Sequence, residues 1–214
     1  MTAHYHLQEL AIARDPAHPG RSMPPIHATD RAILDIGCGA GQTLIAAELG
    51  GDRLLVGVDI DEEALALGRS LSDTILFLRA AAEAIPLASG SFDLVISRVA
   101  LPYTDIPRAV QEMARLLKPK ARCWVVLHPV TFGVRDLWRD LRDARVKGVL
   151  FRLYVLANGL LLHVAGRVIR NPLKRSRLES VQTVGAITRV FRAAGFTDIA
   201  TVHAPSFLLT ARRE

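Results

Sequence analysis

The sequence is short of cysteine, of aromatic residues and of long apolar runs, and each shortage removes a class of protein. Its two cysteines, Cys38 and Cys123, are too few for a disulfide framework and too isolated for a metal site. No bound metal is expected, and both thiols are expected to be buried and reduced, as in a cytoplasmic protein. Aromatics make up 6% of the 214 residues. Leu, Val, Ile and Ala dominate instead, which suits buried parallel strands packed by helices. The first fourteen residues hold no apolar run followed by a cleavage site, so a secretory signal is not expected. The most apolar stretch, Val149 to Val164, falls short of the ~20 residues a membrane span needs. Arg152, Asn158, Gly159 and His163 interrupt it, and a spanning helix is not expected.

What is present is half hydrophobic, which excludes disorder, and carries a formal charge of +6. The excess is local. Between Phe132 and Leu178 stand Arg135, Arg139, Arg142, Arg145, Lys147, Arg152, Arg167, Arg170, Lys174, Arg175 and Arg177, against Asp136, Asp140 and Asp143 alone. Such a segment suits nucleic acid, an anionic lipid surface or an acidic substrate, or is a solvated helical face.

Strands and helices alternate from residue 31. Ala32–Ile36, Leu54–Val58, Ile75–Leu78, Phe92–Ser97 and Cys123–Leu127 read as strands. Gln42–Leu49, Glu62–Ser70 and a run ending at Leu117 read as helices, the last capped by Thr104 or Asp105. Repeated β-α-β units of this length imply a parallel sheet with right-handed crossovers. The alternation stops at 130–178, which reads as mostly helical. It resumes with a helix over Thr183–Ala194 and two close apolar runs, Thr197–Val202 and Phe207–Ala211, expected to pair antiparallel. The expected architecture is therefore α/β: a doubly wound, mostly parallel, Rossmann-like seven-stranded sheet with a C-terminal antiparallel hairpin and a helical insertion. Residues 1–30 form an N-terminal helical cap, 31–129 a cofactor-binding core, 130–178 an insertion expected to cover the substrate, and 179–214 the closing helix and hairpin.

Ligands of such sheets bind at the carboxyl ends of the strands. Ile33 to Gly41 reads as a strand running into Gly-x-Gly-x-Gly, where Gly37, Gly39 and Gly41 allow a sharp turn and close approach. Asp59 ends the next strand, where a carboxylate can accept both hydroxyls of a ribose. Glycine turn plus acidic residue describes a site for a nucleoside-type cofactor. A dinucleotide fingerprint would place glycine or alanine at position 42, which is Gln42. Asp35 also sets a carboxylate just before the turn, which repels a phosphate and suits a cation. S-adenosylmethionine, with its sulfonium and ammonium, answers that electrostatics.

These stretches resemble the ordered motifs of class I S-adenosylmethionine-dependent methyltransferases. Ile33–Gly41 looks like the first motif, Gly57-Val58-Asp59-Ile60-Asp61 the acidic second, and Ala82-Glu83-Ala84-Ile85-Pro86 with Ser91 to Ser97 the adenine-side loop and fourth strand. Leu116-Leu117-Lys118-Pro119 is similar to the family's helix end before the fifth strand. The resemblance implies that Gly37, Gly39 and Gly41 line the methionine part, with Asp35 near its ammonium. It further implies that Asp59 holds the ribose, Ile60 packs on the adenine, Ala82 and Glu83 lie at the adenine edge, and Ser97 sits beside the transferred methyl. Two positions depart from the pattern. Ala81 stands where many relatives carry an Asp that reads the adenine amino group, and Lys120-Ala121 replaces the usual Gly-Gly.

Methyl transfer from a sulfonium is an in-line displacement, so holding the acceptor in place supplies most of the catalysis. The candidates to act on an acceptor are His128 and Tyr103, at the ends of the fifth and fourth strands. His128 has the chemistry of a base near neutral pH, or caps its strand end beside Pro129. Tyr5 and His6, in the first helix, are placed to fold over the site. Arg98 binds an acidic acceptor or pairs with a carboxylate, and Cys38 reads as a small filler. The expected partner is a small, apolar acceptor; the insertion also admits peripheral membrane contact. Two other enzyme readings compete: an NAD(P)-dependent oxidoreductase, and a nucleic-acid methyltransferase using the basic insertion. Gln42 and the lack of a Tyr-x-x-x-Lys pair oppose the first. The lack of stacking aromatics among the basic residues opposes the second.

Overall fold

The computed structural model describes residues 2–172, 178–203 and 206–214. Lys174, Arg175 and Arg177 of the basic segment lie outside these described residues. Helix α1 (Ala3–Arg14) precedes strand β1 (Ala32–Ile36), α2 (Gln42–Ala46), β2 (Leu54–Asp59), α3 (Glu62–Leu71), β3 (Ile75–Arg79) and β4 (Phe92–Arg98). After a 3₁₀ turn at Leu101–Tyr103 come α4 (Ile106–Leu116), β5 (Leu117–Leu127), α5 (Val130–Arg142), α6 (Val146–Ala165), α7 (Val184–Ala193), β6 (Phe196–Val202) and β7 (Phe207–Arg213).

One seven-stranded sheet runs in the order β3-β2-β1-β4-β5-β7-β6. The pairs among β1 to β5 are parallel, and β7 runs antiparallel to both β5 and β6. This is the expected Rossmann-like architecture with its closing hairpin. The order reverses at β1/β4, so the crevice between their carboxyl ends is the switch point where ligands of such sheets bind. Both faces of the sheet are buried. Leu34, Ile36, Val95 and Val125 fill the core on one side, and Ile33, Leu94, Ile96 and Trp124 the core on the other. Strands buried on both faces must read as continuous apolar runs, which is why they stand out in the sequence.

Local chemistry sets the element ends. The Asp61 side chain accepts the Glu63 and Ala64 amides at the start of α3, and Asp105 accepts that of Arg108 at the start of α4. Strand β5 begins at Leu117, six residues before the expected start, because Phe92 of β4 already pairs with Leu117. Lys120 takes a left-handed φ of 64° in this extension, at a position where the family resemblance implies glycine. A side chain there costs about 1 kcal/mol relative to a residue without a Cβ. Exposed Lys120→Gly is therefore expected to raise the thermal midpoint by about 2–4 °C in a calorimetric scan.

Helix α6 is longer than the sequence suggests. It has 20 residues, enough by length and apolar composition to cross a membrane. Gly166, with φ of 62°, ends it. Arg152 and Asn158, two of the polar residues expected to interrupt it, do not, because they are turned inward. Asn158 is buried and donates to the carbonyls of Ile169 and Glu179 at 3.1 and 2.9 Å, while its Oδ1 accepts the Ile169 amide at 2.8 Å. Arg152 reaches Asp136 of α5 at 3.1 Å, Asp140 at 3.5 Å and Glu179 at 3.6 Å. All three carboxylates are buried, so α5, α6 and the segment leading into α7 share one charged core.

Candidate active site

The glycine turn is built by its neighbours. Gly37 and Cys38 donate to the Val58 carbonyl at 2.7 and 3.0 Å, tying the end of β1 to that of β2. Gly37 has φ of 72°, and a Cβ on it would lie 2.1 Å from the Ala100 Cβ. The chain leaving β4 therefore passes directly over the turn. It is steered there by Val99, which holds a φ of 61°, an outlying conformation for a β-branched residue. Strain of this kind persists only where the surroundings impose it.

Two carboxylates face this turn. Asp59 Oδ2 accepts the Gly39 amide at 2.7 Å, and Oδ1 accepts that of Asp61 at 3.0 Å. Each oxygen keeps a further lone pair, so the group can still accept two hydroxyls. Asp35 is 1% exposed, and neither of its oxygens has a partner in full hydrogen-bond geometry, the nearby Thr43 hydroxyl included. Burial lifts its carboxyl to about 7; Arg98 works against this, Asp59 adds to it, and the Thr43 hydroxyl lowers it slightly. Ser97, fully buried near the end of β4, likewise leaves its hydroxyl without a partner. Buried polar groups are normally satisfied, so two unsatisfied side chains near adjacent strand ends mark a place for a ligand. Ile60, just past β2, is 67% exposed, an apolar surface beside Asp59.

Cys38 is the filler that its position suggested. Its sulfur packs where a Cβ on Gly57 would lie, 2.8 Å away, and burial pushes its thiol well above the ordinary range. Such a thiol is inert. Cys123 is also buried, its thiol pushed up to about 12. Among the described residues no cluster of His, Cys, Asp or Glu could hold a metal ion.

The loop from Ala80 to Gly90 carries Ala82 and Glu83 and is fastened to α4 by a pair absent from the sequence reading. Arg115 binds both oxygens of Glu112 at 2.7 Å and donates to the carbonyls of Ile85 and Leu87; Glu112 accepts the Ile85 amide at 2.7 Å. Glu83, half-buried, accepts the Asp105 amide at 2.7 Å. Its side chain thus anchors the loop to the start of α4, while Ala82 is buried against the core.

The first helix covers the turn. The His6 ring sits where a Cβ on Gly39 would lie, 2.9 Å away. His6 Nδ1 pairs with Gln42 Nε2 at 2.8 Å, and its Nε2 is buried without a partner. Burial holds its pKa below the ordinary value, against the pull of Asp61, Asp59 and Glu9. Tyr5 meets the His6 ring edge-on at 5.4 Å. Arg98 pairs with Glu9 of α1 at 2.9 Å, the second of the two roles open to it. Gln42, which spoke against a dinucleotide, thus holds the covering helix in place.

At the ends of β4 and β5 a second group assembles. His128 stacks on Phe132 at 4.8 Å and meets Tyr103 edge-on at 5.5 Å. Its amide and carbonyl are both bonded to Gln182. Burial lowers the His128 pKa, the Asp136 carboxylate opposes this, and the ring is neutral near pH 7. The structure thus gathers Asp35, the glycine turn, Asp59, Ile60 and Ser97 around the switch point, and sets Tyr103 with His128 near the carboxyl ends of the next strands.

A doubly wound sheet with a glycine turn and two carboxylates at its switch point has the layout of a nucleoside-type cofactor site. Comparison with known proteins agrees. Residues 34–125 match the family model described as a methyltransferase domain. An uncharacterized methyltransferase, YcgJ, of Bacillus subtilis is 32% identical over 105 residues, 46% of this chain and 41% of that protein. A 2-phytyl-1,4-naphtoquinone methyltransferase of Thermosynechococcus vestitus is 36% identical over 111 residues, 48% of this chain and 49% of that protein. The chain thus spans less than half the length of these curated relatives. The crystal structure of B. subtilis YcgJ superposes with a TM-score of 0.57 at 17% identity, covering 100% of this chain and 99% of that one. An S-adenosylmethionine-dependent methyltransferase from Mesorhizobium loti gives 0.58 at 23% identity, covering 89% and 94%. The expected Rossmann-like fold is thereby shown.

Proposed function

We propose that the protein transfers the methyl group of S-adenosylmethionine to a small, apolar acceptor. The observation that carries the cofactor assignment is the Asp35 carboxylate, buried beside the glycine turn without a hydrogen-bond partner. A cationic ligand satisfies it, whereas a pyrophosphate would meet like charge from Asp35 and Asp59. When bound, S-adenosylmethionine supplies an electrophilic methyl on a sulfonium. Asp59 then accepts the ribose hydroxyls, Ile60 offers an apolar face to the base, and Asp35 attracts the charged methionine end. His6 and α1 exclude water from the turn. Such positioning is the main catalytic resource of a displacement reaction.

Tyr103 and His128 border the acceptor in this reading. Their aromatic surface and the apolar insertion support an apolar acceptor, as does the relative named for a naphthoquinone. The neutral His128 imidazole is available to take a proton where the acceptor is a hydroxyl. Truncating it removes a stacked pair worth about 1 kcal/mol. His128→Ala is therefore expected to lower kcat/KM by about five- to tenfold in an assay of product formation.

Thermal-shift titration tests the cofactor class. S-adenosylmethionine and S-adenosylhomocysteine are expected to raise the melting midpoint and NAD to leave it unchanged. Stabilisation by NAD alone would replace this reading with that of an oxidoreductase.

A further inference from the structure

Helix α6 is apolar on its exposed face, while its buried face sets Asn158 and Gly159 beside Val155 and Leu162. Val146, Leu150, Leu153, Ala157, Leu160 and Val164 follow one another at intervals of four and three residues and so lie on one face. All six are exposed, Val146 at 70%, Leu160 at 64% and Val164 at 75%. Arg152 and Asn158 occupy the face turned to the protein. A surface helix of a soluble protein keeps its exposed face polar. The stripe is about five turns long, and an uncovered apolar face of that extent marks an interaction surface.

The charge around the stripe selects the partner. From Ala144 to Leu178 the chain has no acidic residue. Lys147 stands at the start of the helix and Arg167 just past its end, both exposed; Arg145 and Arg170 lie two and three residues further out. An apolar face bounded at each end by cations matches a bilayer with anionic headgroups, into which leucines insert while Lys and Arg reach the phosphates. A second copy of the chain suits the face less well. Antiparallel pairing of two such helices would bring the Lys147 end of one against the Arg167 end of the other, cation against cation.

We infer that α6 docks the protein on an anionic membrane surface, lying in the interface with the Val146–Val164 stripe inserted. The helix does not cross the bilayer. Its inner face is committed to the Asp136–Arg152–Glu179 ion pairs and the Asn158 hydrogen bonds, and spanning would carry these charges into hydrocarbon. The inference is independent of the methyl-transfer reading, since it uses neither the glycine turn nor the cofactor.

Flotation of the whole protein with vesicles of phosphatidylcholine, with and without phosphatidylglycerol, tests it. Binding is expected to the anionic vesicles and to weaken strongly as salt rises. Leu153→Asp with Leu160→Asp should cut partitioning about tenfold or more. Lys147→Glu with Arg167→Glu should cut it by a similar factor at low salt. All four positions are exposed, and an unchanged melting midpoint shows that each variant is folded. Three results would overturn the inference: no flotation with anionic vesicles, equal flotation with neutral ones, or resistance of the bound protein to alkaline carbonate extraction. A concentration-dependent dimer in sedimentation that the leucine variant abolishes would likewise replace it, assigning the face to a second copy.

Discussion

Asp35→Asn is expected to stabilise the protein by about 3 kcal/mol at pH 8 and yet to weaken S-adenosylmethionine binding at least tenfold. Burial holds this carboxyl near 7 in the fold, far above its ordinary 3.8. Between those values the folded protein binds a proton that the unfolded chain has released, so stability falls as pH rises from about 4 to about 7. Above 7 the folded state carries a buried, unpartnered anion at full cost; below 4 both states are protonated and the cost is gone. The asparagine has no such dependence. Denaturant midpoints of the two proteins should therefore diverge with rising pH across this window and be parallel outside it. Ligand affinity should run the other way. The wild type should lose affinity for the cationic ligand as pH falls below about 7, and the variant should show a flat, weak profile in titration calorimetry. Matching pH profiles for the two proteins would separate Asp35 from the ligand.

Asp59→Ala is the second large expectation, a loss of about 2 kcal/mol in binding, or some thirtyfold in Kd. Two effects combine. The ribose hydroxyls lose their acceptor, and the Gly39 amide loses the carboxylate that orders the turn at 2.7 Å. Asp59→Asn separates them, because its amide oxygen can still accept the Gly39 hydrogen bond while the charge is gone. An intermediate Kd is expected for Asn. Affinity unchanged in both variants would place the nucleoside elsewhere.

The elements that could be read from sequence are those whose signal is local. Strand β1 has the bounds its apolar run predicts, because Ala32 to Ile36 are buried on both faces. Asp35, Asp59 and the glycines were readable because strand ends and tight turns restrict which residues serve there. The bond between His6 and Gln42 and the Glu112–Arg115 pair belong to another category. The partners His6 and Gln42 lie 36 residues apart, and only the packing of α1 brings them together. Glu83 illustrates the limit from the other side. Its motif is legible, but the side chain's bond to Asp105 depends on where α4 starts. The length of α6 was obscured for a similar reason. Arg152 and Asn158 interrupt the apolar run in sequence, while in space they face inward and leave the outer stripe unbroken.

The ion pairs of Arg152 also bear on how the molecule moves. A single guanidinium joins α6 to two carboxylates of α5 and one that precedes α7, and withdrawing it would strand buried charge at several kcal/mol. The helical pair and the Glu179 strip should therefore travel as one body. It meets the rest of the fold at His128 and Pro129, opposite Gln182, and through Leu162 in the core. Loss of that one guanidinium should therefore loosen α5, α6 and the Glu179 strip together, and not α6 alone.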